Sequence, residues 1–467
     1  MDRATLERWS ARLFDPLDIA SLVVFRVAFG GLMLWKALRL ITSGAVESDY
    51  IEPPFHFKYY GFAWVEPLPG AWMYAPVIAL ALLAVGVIVG YRYRLCASLL
   101  FVGITYLFLI EQANYLNHMY LVSVLAFMMI FVPAHRARSL DARRVPGLRA
   151  ETAPAWALGS MRLQIAIVYI YAGIAKLNPD WLQGEPVRMW LAERADFPLI
   201  GPLLTEEWCV YVFAYGGLLF DLLVVPLMLW SRTRWIAFAF ALGFHLTNAW
   251  LFTIGVFPWL GIAATALFFP ADWPRRAILL VPPRAGAASA PPDPSSPGRR
   301  RLICILLSIW FLAHILVPLR HHLYPGWVHW TEEGHRFSWR MKLRDKGAVA
   351  RFRVIDTRRG ETIYVDPEEL LPAWQVSEMS GRPDMLQQFA RYLAKRAGAP
   401  VEVRADVHVS LNGRVLRRLV DPAVDLAAAP RTLMPADWIL PLNEPLRRTP
   451  RGANSRALET RYLWESN

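Results

Sequence analysis

The stretch IAIVYIYAGIAKLNPDW, from Ile165 to Trp181, carries the residue with the most chemistry to offer. Lys176 stands at the end of an apolar run long enough to enter a membrane, directly before Asn178, Pro179 and Asp180, which stop a helix. A cation at membrane depth is tolerated mainly where it faces a cavity or a partner, which makes it a functional-site candidate. Lysines near helix ends also snorkel to the headgroups, so position alone leaves both readings open. Burial disfavours an ammonium, and a lysine kept in apolar surroundings can then work as a base near neutral pH.

Other polar residues sit in comparable places. Asn117 and His118 open an apolar run in YLNHMY, His245 and Asn248 lie within FHLTNAWLF, and His321 and His322 follow the last apolar run. Taken singly, a histidine or asparagine in a membrane helix often just bonds a neighbouring carbonyl. No Gly-rich phosphate loop, HExxH or GxSxG with triad partners is present, which leaves nucleotide-driven, zinc-hydrolytic and serine-hydrolytic chemistry without support.

The elements that must position these groups follow from composition. Of 467 residues, 55% are hydrophobic, 20 are Trp, and the mean hydropathy is +0.29, too apolar for an ordinary soluble chain and indicative of a polytopic membrane protein. Met1 to Phe14 is polar and lacks the pattern of a cleavable signal, so the first apolar run is expected to direct insertion. Cys96, Cys209 and Cys304 form no CxxC or Cys/His pair, and neither a disulfide framework nor a metal site is expected.

Nine apolar runs of spanning length are read near 20–42, 74–92, 96–111, 119–133, 160–177, 209–230, 234–252, 256–270 and 302–320. Arg26, Lys36 and Asp221 within them mark helices that pack on one another. The net charge of +12 comes from arginines spread over alternate short connections, such as Arg92, Arg94, Arg136, Arg143, Arg232, Arg234 and Arg275. That pattern sets topology rather than binding nucleic acid. It puts the N-terminus in the cytoplasm and, with nine spans, the C-terminal region outside.

Residues 281–300 read as a flexible Pro/Ala/Ser/Gly cytoplasmic linker. After residue 320 the composition turns soluble. Val401 to Leu411 alternates as a half-buried strand, Asn412-Gly413 is a hairpin turn, and Arg414 to Val420 reads as the return strand. Phe352, Val354, Ile363 and Val365 suggest further strands, and Asp384 with Gln387 suggests a capped helix. The expected architecture is a polytopic α-helical membrane domain over 1–320 and a small extracytoplasmic α+β domain over 321–467. On this topology Lys176, Asn117, His118, His245, Asn248 and His321 all reach the outer leaflet, beside an aromatic loop from Glu47 to Trp72. Polar groups concentrated on the face opposite the basic loops form a site pattern, suited to acid/base work on an apolar substrate that enters from lipid.

These motifs resemble a known family. DPLDIASLVVFRVAFG, YLNHMYLVSVLAF, QIAIVYIYAGIAKLNPDW, YGGLLFDLLVVPL, FHLTNAWLFTIGVFPWL and HHLYPGWVHWTEEGHRFSWRMKL fall in order over roughly residues 15–345, with a weaker echo in VEVRADVHVSLNGRVLRRLVDP. The chain resembles the vitamin K-dependent gamma-glutamyl carboxylases, whose membrane part is similar to the horizontally transferred transmembrane-domain (HTTM) proteins. The resemblance implies a carbon–carbon lyase of the bacterial cytoplasmic membrane that takes reduced vitamin K (the hydroquinone) from the bilayer, with O2 and CO2 as co-substrates. Deprotonation by a lysine and addition of oxygen yield a strongly basic alkoxide, which removes a γ proton from a glutamyl side chain of a peptide or protein. The carbanion attacks CO2 and the vitamin leaves as the epoxide, in a pocket kept dry so that the base is not quenched.

Carried over residue by residue, Lys176 is the base, with Ala175 in place of the first lysine of the pair in animal relatives. Asn117 and His118 match the element expected to orient hydroquinone or glutamate, and His245 and His321 match further family histidines. No cysteine pair spans the two parts, so the disulfide of animal relatives cannot form. The chain ends at Asn467, short of the larger lumenal region of those relatives, and the resemblance does not reach propeptide recognition. Two other functions fit the residues less fully: a quinol oxygenase that forms epoxide without carboxylating protein, and a non-catalytic membrane protein that binds lipid or protein.

Overall fold

The computed structural model describes residues 11–252, 254–277 and 296–446. The linker expected over 281–300 lies outside the described residues as far as 295, and residues 297–300 instead open the last long helix.

Each apolar run folds as a helix, because backbone groups in hydrocarbon must be bonded within their own segment. These are α1 (Ala20–Thr42), α2 (Tyr74–Val89), α3 (Tyr93–Ile110), α4 (Asn117–Phe131), α5 (Ala155–Lys176), α6 (Glu207–Leu229), α7 (Arg234–Phe252), α8 (Phe257–Thr265) and α9 (Pro297–Leu319). Among the described residues seven helices are long and apolar enough to cross a membrane, where the sequence suggested nine; α4 and α8 are the short ones. The 15 residues of α4 rise about 22 Å, against about 30 Å of hydrocarbon. The helix α8 begins with Pro258 in its first turn and tightens into a 3-10 turn at Ala266–Phe268.

The two ends of the bundle are built differently. At one end β1 (Pro16–Asp18) pairs antiparallel with β2 (Thr152–Pro154), so the starts of α1 and α5 lie together. Arg275, after α8, joins them by bonding Asp18 at 2.7 Å and Glu151 at 2.8 Å. The buried Arg26 of α1 donates to the carbonyls of Ala134 at 2.8 Å and Arg138 at 2.7 Å, beyond the end of α4. Its two terminal nitrogens thus bond backbone at a helix end, while its buried Nε has no partner among the described residues.

At the other end sits the C-terminal domain, a four-stranded antiparallel sheet in the order β4 (Thr362–Val365), β3 (Lys346–Asp356), β5 (Val401–Leu411), β6 (Arg417–Arg418). Strand β5 buries Val403, Ala405, Val407, Val409 and Leu411 on one face, as its alternation predicts. Helices α10 (Ala373–Ser380) and α11 (Pro383–Ala397) cover that face, with Phe389 edge-on to Phe352 at 5.0 Å. Asp384 is not the cap of α11: Arg382 holds that position without a side-chain bond, and Asp384 pairs with Arg336 at 2.7 Å. The return strand is also shorter than expected, two residues rather than seven, because the chain after the Asn412-Gly413 turn is drawn toward the membrane domain by Arg414.

The aromatic loop after α1 docks this domain. Phe57 joins the domain's core, Gln375 donates to the Phe55 carbonyl at 2.9 Å and to Glu111 at 2.7 Å, and Gln388 accepts from the Lys58 amide at 2.7 Å. The end of α3 and the outer loop thus lie against the sheet domain.

Candidate functional site

Helix α5 ends on Lys176 because the next residues prescribe a stop. Asn178 accepts from the Trp181 amide at 3.1 Å and donates to the Ala175 carbonyl at 2.9 Å, capping a new turn at Pro179–Leu182 while closing the old helix. The lysine does not reach out to the headgroups: it is 6% exposed. Its ammonium bonds Asp221 of α6, which is equally buried, and lies 3.4 Å from the Ala172 carbonyl. Trp181 covers it, with Nζ 5.2 Å from the ring centre, and is itself fixed by a 2.8 Å bond to the Ala214 carbonyl. Gly217, one turn before Asp221, lies beside the lysine stem; a Cβ there would make an ordinary contact, 3.9 Å from Lys176 Cε.

A strip of rings leads from this ion pair to the other expected residues. The same Gly217 position faces Phe244, which stacks on Phe220 at 4.1 Å, and both rings abut His245. His245 is fully buried; its Nε2 meets the Tyr169 hydroxyl at 2.9 Å, and Tyr169 meets Thr265 at 2.8 Å. Its Nδ1 is buried without a partner among the described residues. Phe257 lies 5.8 Å from His245 on one side and 5.7 Å from His118 on the other. The half-buried His118 makes no hydrogen bond among the described residues. Lys176, His245 and His118 therefore line one run of aromatic contacts.

Asn117 and His321 belong to a second layer. Asn117 accepts from the Tyr115 hydroxyl at 3.0 Å and donates to the Arg340 carbonyl at 3.1 Å. The Arg340 guanidinium lies 3.3 Å from His321 Nε2 and 2.9 Å from His329 Nε2. Among the described residues Asn248 bonds only the Phe244 carbonyl of its own helix, at 2.8 Å.

Several residues of this site escaped sequence reading. Asp221 was legible as an intramembrane charge, but not as the partner of Lys176. Lys36 of α1 stands within electrostatic reach of His118 and Asp49. The segment 338–343 is the plug between the two domains: Trp339 stacks on Tyr120 at 4.8 Å in the core of the membrane domain, and Leu343 packs in the cluster that holds Ala175 and Trp181. The motif SWRMKL was visible, its insertion was not.

Above the plug the junction is strongly cationic. Glu332 takes Arg344, Lys346 at 3.0 Å and His335 at 3.7 Å. Burial alone would raise the Glu332 carboxyl, but Arg344 and Lys346 outweigh it and hold the group well below the usual range. Burial brings Lys346 down to about 8 against the pull of Glu332, and Arg340 down to about 10.

Comparison with known proteins decides the family. The HTTM domain model matches residues 14–273, more than half of the chain, and the model of the vitamin K-dependent gamma-carboxylase lumenal domain matches residues 299–445. The chain belongs to the vitamin K-dependent gamma-carboxylase family. No solved structure matches it. As a member of this family it is an integral membrane protein of an enzyme family that uses vitamin K hydroquinone, and the lumenal label on the second match goes with an extracytoplasmic sheet domain.

Proposed function

We propose that this protein carboxylates the γ carbon of peptidyl glutamate and couples the step to epoxidation of reduced vitamin K, with O2 and CO2 consumed and Lys176 as the base. The observation that carries the reading is Lys176 itself, buried at the sheet-domain end of α5 and joined by one aromatic strip to His245 and His118. These residues fit a planar quinol: ring faces to stack on, and a buried His245 Nδ1 that lacks a partner among the described residues. Lys176, His245 and His118 would hold the quinol, and Asn117 would orient it or the glutamate. When bound, reduced vitamin K supplies with O2 a base far stronger than any amine. Lys176 Nζ receives the hydroxyl proton that starts the reaction, and Trp181, which covers it, keeps water from that nitrogen.

The topology we assign has nine crossings, with α4 and α8 as the short ones, an N-terminus in the cytoplasm and a domain boundary after residue 320. Two ties support it. The starts of α1 and α5 meet at the end marked by Arg275, whereas Glu111 after α3 and Asp180 after α5 both bond the sheet domain. These ties favour a crossing of the bundle between Glu111 and Thr152, which we assign to α4. Purified protein incubated with reduced vitamin K, bicarbonate and a Glu-containing peptide tests the function: epoxide and carboxylated peptide should both form. Epoxide without carboxylated peptide would reduce the reading to a quinol oxygenase.

A further inference from the structure

A lysine that serves as a base must have a free electron pair, yet Lys176 is bonded to a carboxylate with which it forms an ion pair. An ammonium cannot take up a proton before giving one away. The direct acceptor within reach is Asp221, since the other contact of Nζ is a backbone carbonyl at 3.4 Å. Nζ carries three N–H groups. One points to Asp221 and one to the Ala172 carbonyl, and the third has no hydrogen-bond acceptor among the described residues besides the face of Trp181, which leaves it for a substrate hydroxyl.

We infer that Asp221 is the proton acceptor behind Lys176, so that the base of this enzyme is the pair and not the lysine alone. This rests on the reading of Lys176 as the base. In the step, the N–H bond of Nζ that points to Asp221 breaks and its proton forms an O–H bond at Oδ2; the amine turns about its Cε–Nζ bond, and the substrate O–H bond then breaks as its proton forms a new N–H bond at Nζ. The lysine ends as it began, the aspartate is neutralised, and the negative charge remains on the substrate oxygen. No electrons change hands. Asp221 acts through Lys176 rather than on the substrate. The group bonded to it is Lys176 of α5; Tyr169 of the same helix, which bonds His245 of α7, lies within electrostatic reach.

The arrangement also accounts for the burial of both charges. A buried pair in a membrane bundle is weak evidence for stability, because a well-packed apolar pair of the same size often does as well. It gains meaning where it moves a proton.

The test uses the full chain in lipid nanodiscs. Asp221→Asn, which keeps the shape and removes the acceptor, should lower epoxide formation by about a hundredfold or more, and Asp221→Glu should restore a good part. The second readout needs no turnover. With carboxyl-labelled aspartate and no oxygen, addition of 2-methyl-1,4-naphthohydroquinone should produce the infrared band of a protonated aspartic acid, absent from Asp221→Asn. No such band in the wild type, or unchanged epoxidation by a folded Asp221→Asn protein, would overturn the inference. Unchanged epoxidation by Lys176→Ala would instead overturn the underlying reading. If Asp221→Asn does not fold, the wild-type infrared experiment still decides.

Discussion

Asp180 and Arg414 stand 234 positions apart and meet as a bidentate ion pair, with Nη1 2.6 Å from Oδ2 and Nη2 2.8 Å from Oδ1. Asn412 adds a third bond to the same carboxylate at 2.7 Å, and Trp327 covers the guanidinium at 5.1 Å. Asp180 is 1% exposed. It is four residues from Lys176, so the hairpin turn of the sheet domain is fastened directly to the end of the helix that carries Lys176. Both residues of that turn have positive φ, 52° at Asn412 and 77° at Gly413, the conformation that lets the tip point its side chains at the membrane domain.

Arg414→Ala should therefore destabilise the junction by about 3–5 kcal/mol, because it leaves a buried carboxylate without its countercharge. Thermal unfolding in detergent measures this. Removing both charges in Asp180→Asn/Arg414→Ala should cost less than Arg414→Ala alone, and an equal or greater cost would contradict the account.

His245 rests on a glycine. A Cβ on Gly261 would come 2.2 Å from its Cε1, whereas one on Gly243 would meet nothing within 4 Å. Gly261→Ala should displace the imidazole from Tyr169, cost about 1–3 kcal/mol as overpacking does, and depress epoxidation. Gly243→Ala is the control and should be near neutral in both assays.

Glu185 gives a pH dependence. Burial pushes its carboxyl up to about 7 in spite of the 2.8 Å bond from Arg188, and its second oxygen is buried without a partner among the described residues. Because the folded protein holds this proton more tightly than the unfolded chain, its contribution is fully present below about pH 4.5 and is lost as pH rises through about 7. The melting temperature of Glu185→Gln should exceed that of the wild type by a margin that grows from pH 5 to pH 8. A constant margin would mean that Glu185 is ionised throughout.

Topology can be read by labelling. In a chain whose three native cysteines are replaced, Met434→Cys, at a site 72% exposed, should react in intact cells with a maleimide that cannot cross membranes. Arg276→Cys, whose native side chain is also 72% exposed, should react only after the cells are opened. The reverse pattern would invert the orientation.

Much of this was legible in the sequence because it depends on near neighbours. The stop after Lys176 is written in Asn178 and Pro179, and the alternation of β5 shows which face is buried. What was not legible depends on distant packing. The bond between Lys176 and Asp221 requires the relative rotation of α5 and α6, which no local pattern encodes. Asp384 looked like a helix cap, but Arg336 offers it a charge that a lone amide cannot match. Lys36 was seen as a packing charge, and its approach to His118 came only with the bundle.

The most direct measurement is vitamin K epoxide formation by Lys176→Ala protein in nanodiscs, with thermal unfolding as the check on folding. The substitution removes the proposed base while leaving Asp221 free to take a proton and become neutral, so the protein should fold. Loss of general-base help typically lowers rates by about a hundred- to ten-thousand-fold, and the account predicts the upper end, with partial recovery on adding a small amine. A folded Lys176→Ala protein that oxidises vitamin K hydroquinone at the wild-type rate would contradict it.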